Sequence, residues 1–287
     1  MKAALTVAIA LVGTIAIAQD TSALASRLHA NDPLARARAA CEAKKLGDGA
    51  RPLLPDLVAL LADGAAVPGD ACGDWGRWSE KGRMPESSPG EKAAIALVAL
   101  GRVAYEPLAG ALGAPQWHAR KNAAWALGAL EDPRAVQPLV ATLRDSEPAV
   151  RRHAAWALGA LDAEQAVSAL VGALKDSDAG TRSQAAWALG AIGDEKAVAG
   201  LVGALKDSDA KTREQAAWAL GAIGSEEAVT GLIGALSDTD ARVRSQAAWA
   251  LGAIGDGRAS GALASALKDP DAKVRRQAAW ALGAIGK

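Results

Sequence analysis

No phenylalanine occurs among the 287 residues, and Tyr105 is the single tyrosine. The core is therefore not built on large aromatics. Its apolar content is Ala, Leu, Val and Ile, which suits helices packed closely through small side chains. An excess of either charge is also missing, since 32 basic residues face 32 acidic ones. That balance excludes the electrostatic footprint of a nucleic-acid binder and leaves no basic run for an anionic membrane. The three histidines, His29, His118 and His153, are each followed by Ala. No His-Glu pair, G-x-S-x-G, H-E-x-x-H or P-loop phrase is present. The sequence thus offers no catalytic motif, no metal-ligand set and no cofactor site; Asp74, Glu80 and Glu86 are only a weak signal for acids, and the expectation is a protein that is not an enzyme.

Long apolar runs are scarce as well. The one that exists, Ala3 to Ile17, follows Lys2 and leads into the small-x-small triplet Ala16-Ile17-Ala18. This reads as a secretory signal over residues 1–18, with a mature chain starting near Gln19. An uncleaved anchor is the other reading. The run falls short of the roughly 20 apolar residues a spanning helix needs. Export implies a periplasmic or secreted protein. Cys41 and Cys72 are the two cysteines. In an oxidising compartment an even pair suggests a disulfide, with two unrelated thiols as the alternative.

What is abundant is repetition. Trp125, Trp156, Trp187, Trp218, Trp249 and Trp280 recur 31 residues apart (156 − 125 = 31, and so on), each in a phrase close to AAWALGAIG. A period of this length marks a stack of one supersecondary unit. In Asp194–Gly224, Val198, Leu201, Val202 and Leu205 form an apolar stripe at i, i+3, i+4, i+7. The polar run Lys206–Asp209 interrupts it. Asp209 then stands at an N-cap position, Thr212, Ala216, Leu220 and Ile223 share a face, and Gly224 supplies the stop. Each unit therefore reads as helix A, a polar turn, helix B and a Gly-containing turn. Helices A are expected to begin near Ser22, Ala50, Ala104, Arg134, Glu164, Glu195, Glu226 and Gly257. Cys41 and Ile95 align with the Trp column in two earlier units. The step between them is 54 (95 − 41), which is 31 plus 23. An inserted loop at about 63–90, carrying Cys72, Trp75 and Trp78, accounts for the excess.

The phrase AVxxLVxALxDxDxxxRxxAAxALGAIGD resembles the short HEAT-type repeat named after phycobilisome lyases. The match is close over Arg134–Gly286 and looser before Leu130. The resemblance implies an all-α fold of ARM/HEAT type over residues 19–287, an α-solenoid forming a right-handed superhelix of about eight antiparallel helix pairs. It also implies helix A on the convex side and helix B on the concave side. The scaffold is similar to deoxyhypusine hydroxylase too, whose His-Glu iron ligands have no counterpart here. Fold alone implies no reaction.

On a helical wheel Trp156 falls about 200° from Ala154, almost opposite the core face. The Trp column is thus expected on the outer side of helix B. Gln184, Gln215 and Gln246 stand at i−3 and Arg152 at i−4, where each indole leans. Indoles interlocked between adjacent helices B, above the Gly at i+3, are the other arrangement. Recurrent Asp176/Arg182, Asp207/Arg213, Asp238/Arg244 and Asp269/Arg275 read as a structural ladder between neighbours. The functional expectation is a protein or peptide partner held along the Trp face. The insertion would gate one end, pinned by a Cys41–Cys72 bond. A lyase-like, small-ligand or carbohydrate-binding role through Trp75 and Trp78 is the alternative. End-to-end self-association is a further expectation, because the last helix B is of the same type as the internal ones.

Overall fold

The computed structural model describes residues 21–72 and 86–286, and over them the chain is an all-α solenoid. It divides into two compact units, Met1–Asp132 and Pro133–Lys287. The first 18 residues, read above as a signal, lie outside the described residues, as do Trp75 and Trp78. Among the described residues no helix is long and apolar enough to cross a membrane.

Unit 1 contains three antiparallel pairs. Helical residues 21–28 (α1) pair with α2 (Pro33–Leu46), α3 (Leu54–Leu60) with α4 (Pro89–Ala99), and α5 (Tyr105–Ala111) with α6 (Trp117–Ala129). α2 starts where the Asp32 carboxylate accepts from Leu34 N and Ala35 N, with Pro33 in the first turn. Between α3 and α4 the chain leaves the repeat and forms a short antiparallel ribbon. There β1 (Val67–Pro68) sets Val67 opposite Ser87 and Pro68 opposite Glu86 of β2 (Glu86–Ser87). Two capping contacts show where the extra chain enters. Arg36 Nε donates to Asp63 Oδ2 at 2.6 Å, as each ladder Arg does to the next Asp. Ser88 caps α4 by accepting from Glu91 N. In a regular repeat these two positions are two residues apart, Asp207 and Asp209. Here the separation is 25 (88 − 63), so the 23 extra residues fall between ladder Asp and N-cap. Cys41 and Cys72 are bonded, with Cα atoms 5.5 Å apart and a sequence separation of 31. Closing a loop of that length stabilises by about 3–4 kcal/mol in the chain-entropy model.

Unit 2 contains five pairs among the described residues. α7 (Val136–Thr142) packs on α8 (Pro148–Ala160), α9 (Val167–Ala173) on α10 (Ala179–Ile192), and α11 (Val198–Ala204) on α12 (Ala210–Ile223). α13 (Val229–Ala235) then packs on α14 (Ala241–Ile254) and α15 (Ser260–Ala266) on α16 (Ala272–Ile285). The start of helix A differs from the sequence expectation. A single 3-10 turn, such as Glu195–Ala197, comes first. The Asp194 side chain accepts from Lys196 N, and its carbonyl accepts from Ala197 N at 3.0 Å. These tight bonds defer the α-helix to Val198. Helix B follows the sequence signals directly: Asp209 accepts from Thr212 N, and Gly224 ends α12 at φ 79°. Val198, Leu201, Ala216, Ala217, Ala219 and Leu220 are buried.

The ladder forms the spine of this unit. Arg151, Arg182, Arg213 and Arg244 each donate from Nε to an Asp of the following repeat (Asp176, Asp207, Asp238, Asp269) at 2.7 Å. Nη2 completes a bidentate pair at 2.6–2.9 Å. Nη1 reaches back to its own turn, to the carbonyl six residues earlier, at 2.9 Å. None of the eight side chains is more than 13% exposed. Burial is the largest influence on Asp176, Asp207 and Asp238 and raises their pKa. The Arg hydrogen bond and the backbone N–H two residues on together outweigh it, so these carboxyls titrate below the ordinary range. At Asp269 the Arg244 hydrogen bond leads and the direction is the same.

Candidate binding face of the B helices

Helices B of unit 2 pack on one another along their length, whereas helices A meet those of neighbouring repeats at few points. Unequal spacing of this kind bends a stack towards its tight row, and the Trp column belongs to that row.

The glycine three residues after Trp156, Trp187, Trp218 and Trp249 explains the close packing. A Cβ at Gly190 would stand 2.6 Å from Ala219 Cα and 2.7 Å from Trp218 Cζ3. At Gly221 it would stand 2.7 Å from both Ala250 Cα and Trp249 Cζ3. Gly159 and Gly252 meet Trp187 and Trp280 in the same way. The indoles of Trp187, Trp218, Trp249 and Trp280 are thus half seated on the preceding repeat. Trp125, Trp156, Trp187, Trp218 and Trp249 are half-buried, and Trp280 is 48% exposed. The two arrangements open in the sequence are combined: one edge of the ring interlocks and the other faces outward.

The outward edge carries the polar atom. Among the described residues no buried side-chain nitrogen or oxygen lacks a hydrogen-bond partner. The indole N–H groups of Trp187, Trp218 and Trp249 have no acceptor within the protein, so they reach solvent. Gln184, Gln215 and Gln246 are likewise partly exposed, and their amides pair with nothing in the chain. Arg152 is exposed, 3.6 Å from Asp178. Helices α10, α12 and α14 of unit 2 therefore present a periodic row of unpaired indole donors and amide donor–acceptors on an apolar backing. Such a surface offers stacking and main-chain hydrogen bonding at each repeat.

Unit 1 holds a polar cluster that the sequence reading missed. Trp117 stacks on His118 with ring centroids 3.6 Å apart, and Lys121 Nζ lies 5.9 Å from the Trp117 ring. Lys121 donates to Glu91 Oε1 at 2.8 Å, and Ser87 to Glu91 Oε2 at 2.9 Å. Burial opposes ionisation of Glu91, but Lys121 and Ser87 prevail and lower its pKa. His118 lies against Gly64, where a Cβ would meet Nε2 at 2.2 Å. Burial, then the Lys121 charge, lowers the His118 pKa. Asn122, in the row of the glutamines, is buried and donates to Leu61 O at 2.9 Å. The cluster clamps the foot of the inserted ribbon. Its sequence signal was the aromatic pair Trp117-His118 at a helix start where later repeats have Pro or Ala. No group of three or more His, Cys, Asp or Glu among the described residues is placed to hold a metal ion.

Repeated A/B helix pairs, a B-helix ladder and a periodic surface row define an ARM/HEAT-type repeat protein. A HEAT-repeat family model matches residues 86–147, 137–212 and 198–283, more than half of the sequence, and the chain belongs to that family. Among solved structures it is similar to the Escherichia coli protein YibA, with 18% identity, TM-score 0.61, and coverage of 93% of this chain and 92% of that one. It is similar to Kap95p, solved in a study of its binding to RanGDP, at 15% identity and TM-score 0.66, covering 92% of this chain and 42% of that one. A designed armadillo repeat protein in complex with the peptide (KR)4 matches at 22% identity and TM-score 0.50, over 62% of this chain and 98% of that one. At these identities the likeness concerns the fold. No match was found among curated proteins.

Proposed function

We propose that the chain is an exported, non-enzymatic HEAT-repeat scaffold that holds a protein or peptide partner along the Trp and Gln row of its B helices. The observation that carries the reading is the register of unpaired indole N–H and Gln amide groups on successive helices of unit 2. A structural row has no use for polar groups left unpaired on three successive helices, α10, α12 and α14, whereas a ligand with a periodic backbone does. Solved proteins of this fold with a peptide or protein partner support the reading in general terms. The Cys41–Cys72 bond suits the oxidising compartment that the leading segment suggests.

The test is Gln184→Ala with Gln215→Ala and Gln246→Ala, followed by affinity capture from the exported fraction. Surface substitutions of this kind shift stability by no more than about 0.5 kcal/mol each. Three lost hydrogen bonds at about 0.5–1.5 kcal/mol apiece weaken capture at least tenfold. Undiminished capture by the triple variant contradicts the proposal.

A further inference from the structure

The first helix B breaks the surface pattern of the later ones. Where α12 carries Lys211 and Glu214, and α14 carries Arg242, α2 carries Leu34 and Ala37, and Cys41 fills the Trp position. Lys211 and Arg242 are exposed. On α2 the matching surface is covered by the chain itself: Val67 and Ala71 pack against Ala37 and Leu34, and Cys72 is bonded to Cys41. The covering segment is extended at Val67–Pro68 and turns at Pro68–Ala71, where Ala71 N donates to Pro68 O. Its main chain is also hydrogen-bonded from the helix face. Lys92 Nζ donates to Gly69 O at 3.1 Å. Lys92 stands three residues before Ile95, the same position that Gln184, Gln215 and Gln246 hold before their tryptophans.

We infer that residues 67–72 are a tethered ligand of the helix-B face. The segment occupies over the first two repeats what a partner's segment occupies over the later ones. This rests on the function proposed above and names the class of its ligand, an extended polypeptide held through its main chain. Its carbonyls accept hydrogen bonds from the residue three before the Trp position. The Cys41–Cys72 bond makes the first site permanently occupied. A dithiol reductant opens it by thiol–disulfide exchange, being oxidised to its own disulfide while Cys41 and Cys72 become thiols.

The test uses the full chain and the alkylation rate of Cys41. In Cys72→Ser the segment shields Cys41 by contact alone. Adding Val67→Asp and Ala71→Asp displaces it, and alkylation accelerates about tenfold or more. A synthetic peptide with the sequence of residues 66–72, Ser replacing the final Cys, then slows alkylation of the triple variant in a saturable way below about 1 mM. Lys92→Ala weakens that protection. Absence of protection, or equal protection by a scrambled peptide, overturns the inference and leaves the segment as a covalent brace. If the triple variant does not fold, Cys72→Ser/Lys92→Ala decides. Faster alkylation than in Cys72→Ser supports the inference and an unchanged rate overturns it. Peptide protection combined with undiminished partner capture by the Gln variant would remove the proposed function alone. The opposite combination removes this inference alone.

Discussion

At single positions the governing question is what a side chain, or its absence, meets on the next repeat. The glycines of helix A fall into two groups by what they face. Gly200 and Gly231 face the preceding helix A, where a Cβ would stand 3.1 Å from Val171 Cγ1 and 3.2 Å from Leu205 Cδ1, respectively. Gly203 and Gly234 face open space. Gly203→Ala and Gly234→Ala should each stabilise by about 0.5–1 kcal/mol, because helical Ala loses less backbone entropy than Gly. Gly221→Ala on helix B should cost about 1–3 kcal/mol, since backbone and indole both stand in the way of the added methyl. Urea unfolding of the three variants checks the contrast; the same sign at all three contradicts the packing described. Asp162 holds φ 50° at a C-cap position where later repeats have Gly193, Gly224 and Gly255. Asp162→Gly should gain about 1 kcal/mol by relieving the left-handed conformation.

At the scale of elements, the helix pair was legible because its signals are local. Asp209, Gly224 and the apolar stripes act within one turn of the residues they order. The Arg–Asp ladder was legible because a 31-residue period places both partners once per repeat. The 3-10 start of helix A was not, because it depends on a bond geometry that Asp194 shares with many ordinary helix caps. The seating of each Trp on a neighbouring Gly was only half legible, since it depends on the distance between helices. The ladder also sets an acid response. Its carboxyls have depressed pKa values in the folded chain. Their stabilisation is therefore fully present above the unfolded Asp value of about 3.9 and is lost as pH falls through the lower folded values. Thermal midpoints should be level from pH 7 to 5 and drop below pH 4. Asp207→Asn leaves Arg182 half satisfied in a site little exposed to water, at a cost of about 2 kcal/mol. It should also flatten part of the acid slope. A midpoint unchanged at pH 3 would show the ladder to be ornamental.

Across the whole molecule, the same helix-B face is used in two ways. On α2 it is covered by residues 67–72 and fastened by a disulfide, and on α10, α12 and α14 it stands open with the donors of Trp187, Trp218 and Trp249 unpaired. The site of the insertion was readable from the 54-residue step between Cys41 and Ile95. The loop expected at about 63–90 enters between the ladder Asp63 and the cap Ser88, and the fold adds the identity of these two end contacts. The most direct measurement of the account is NMR of the indole N–H groups of 15N-labelled protein. In the free chain, the signals of Trp187, Trp218 and Trp249 should exchange readily with water. On adding the partner captured from the exported fraction, they should shift and become protected together. Indole protons already protected in the free protein, or unmoved by the bound partner, would contradict a recognition row on the B helices.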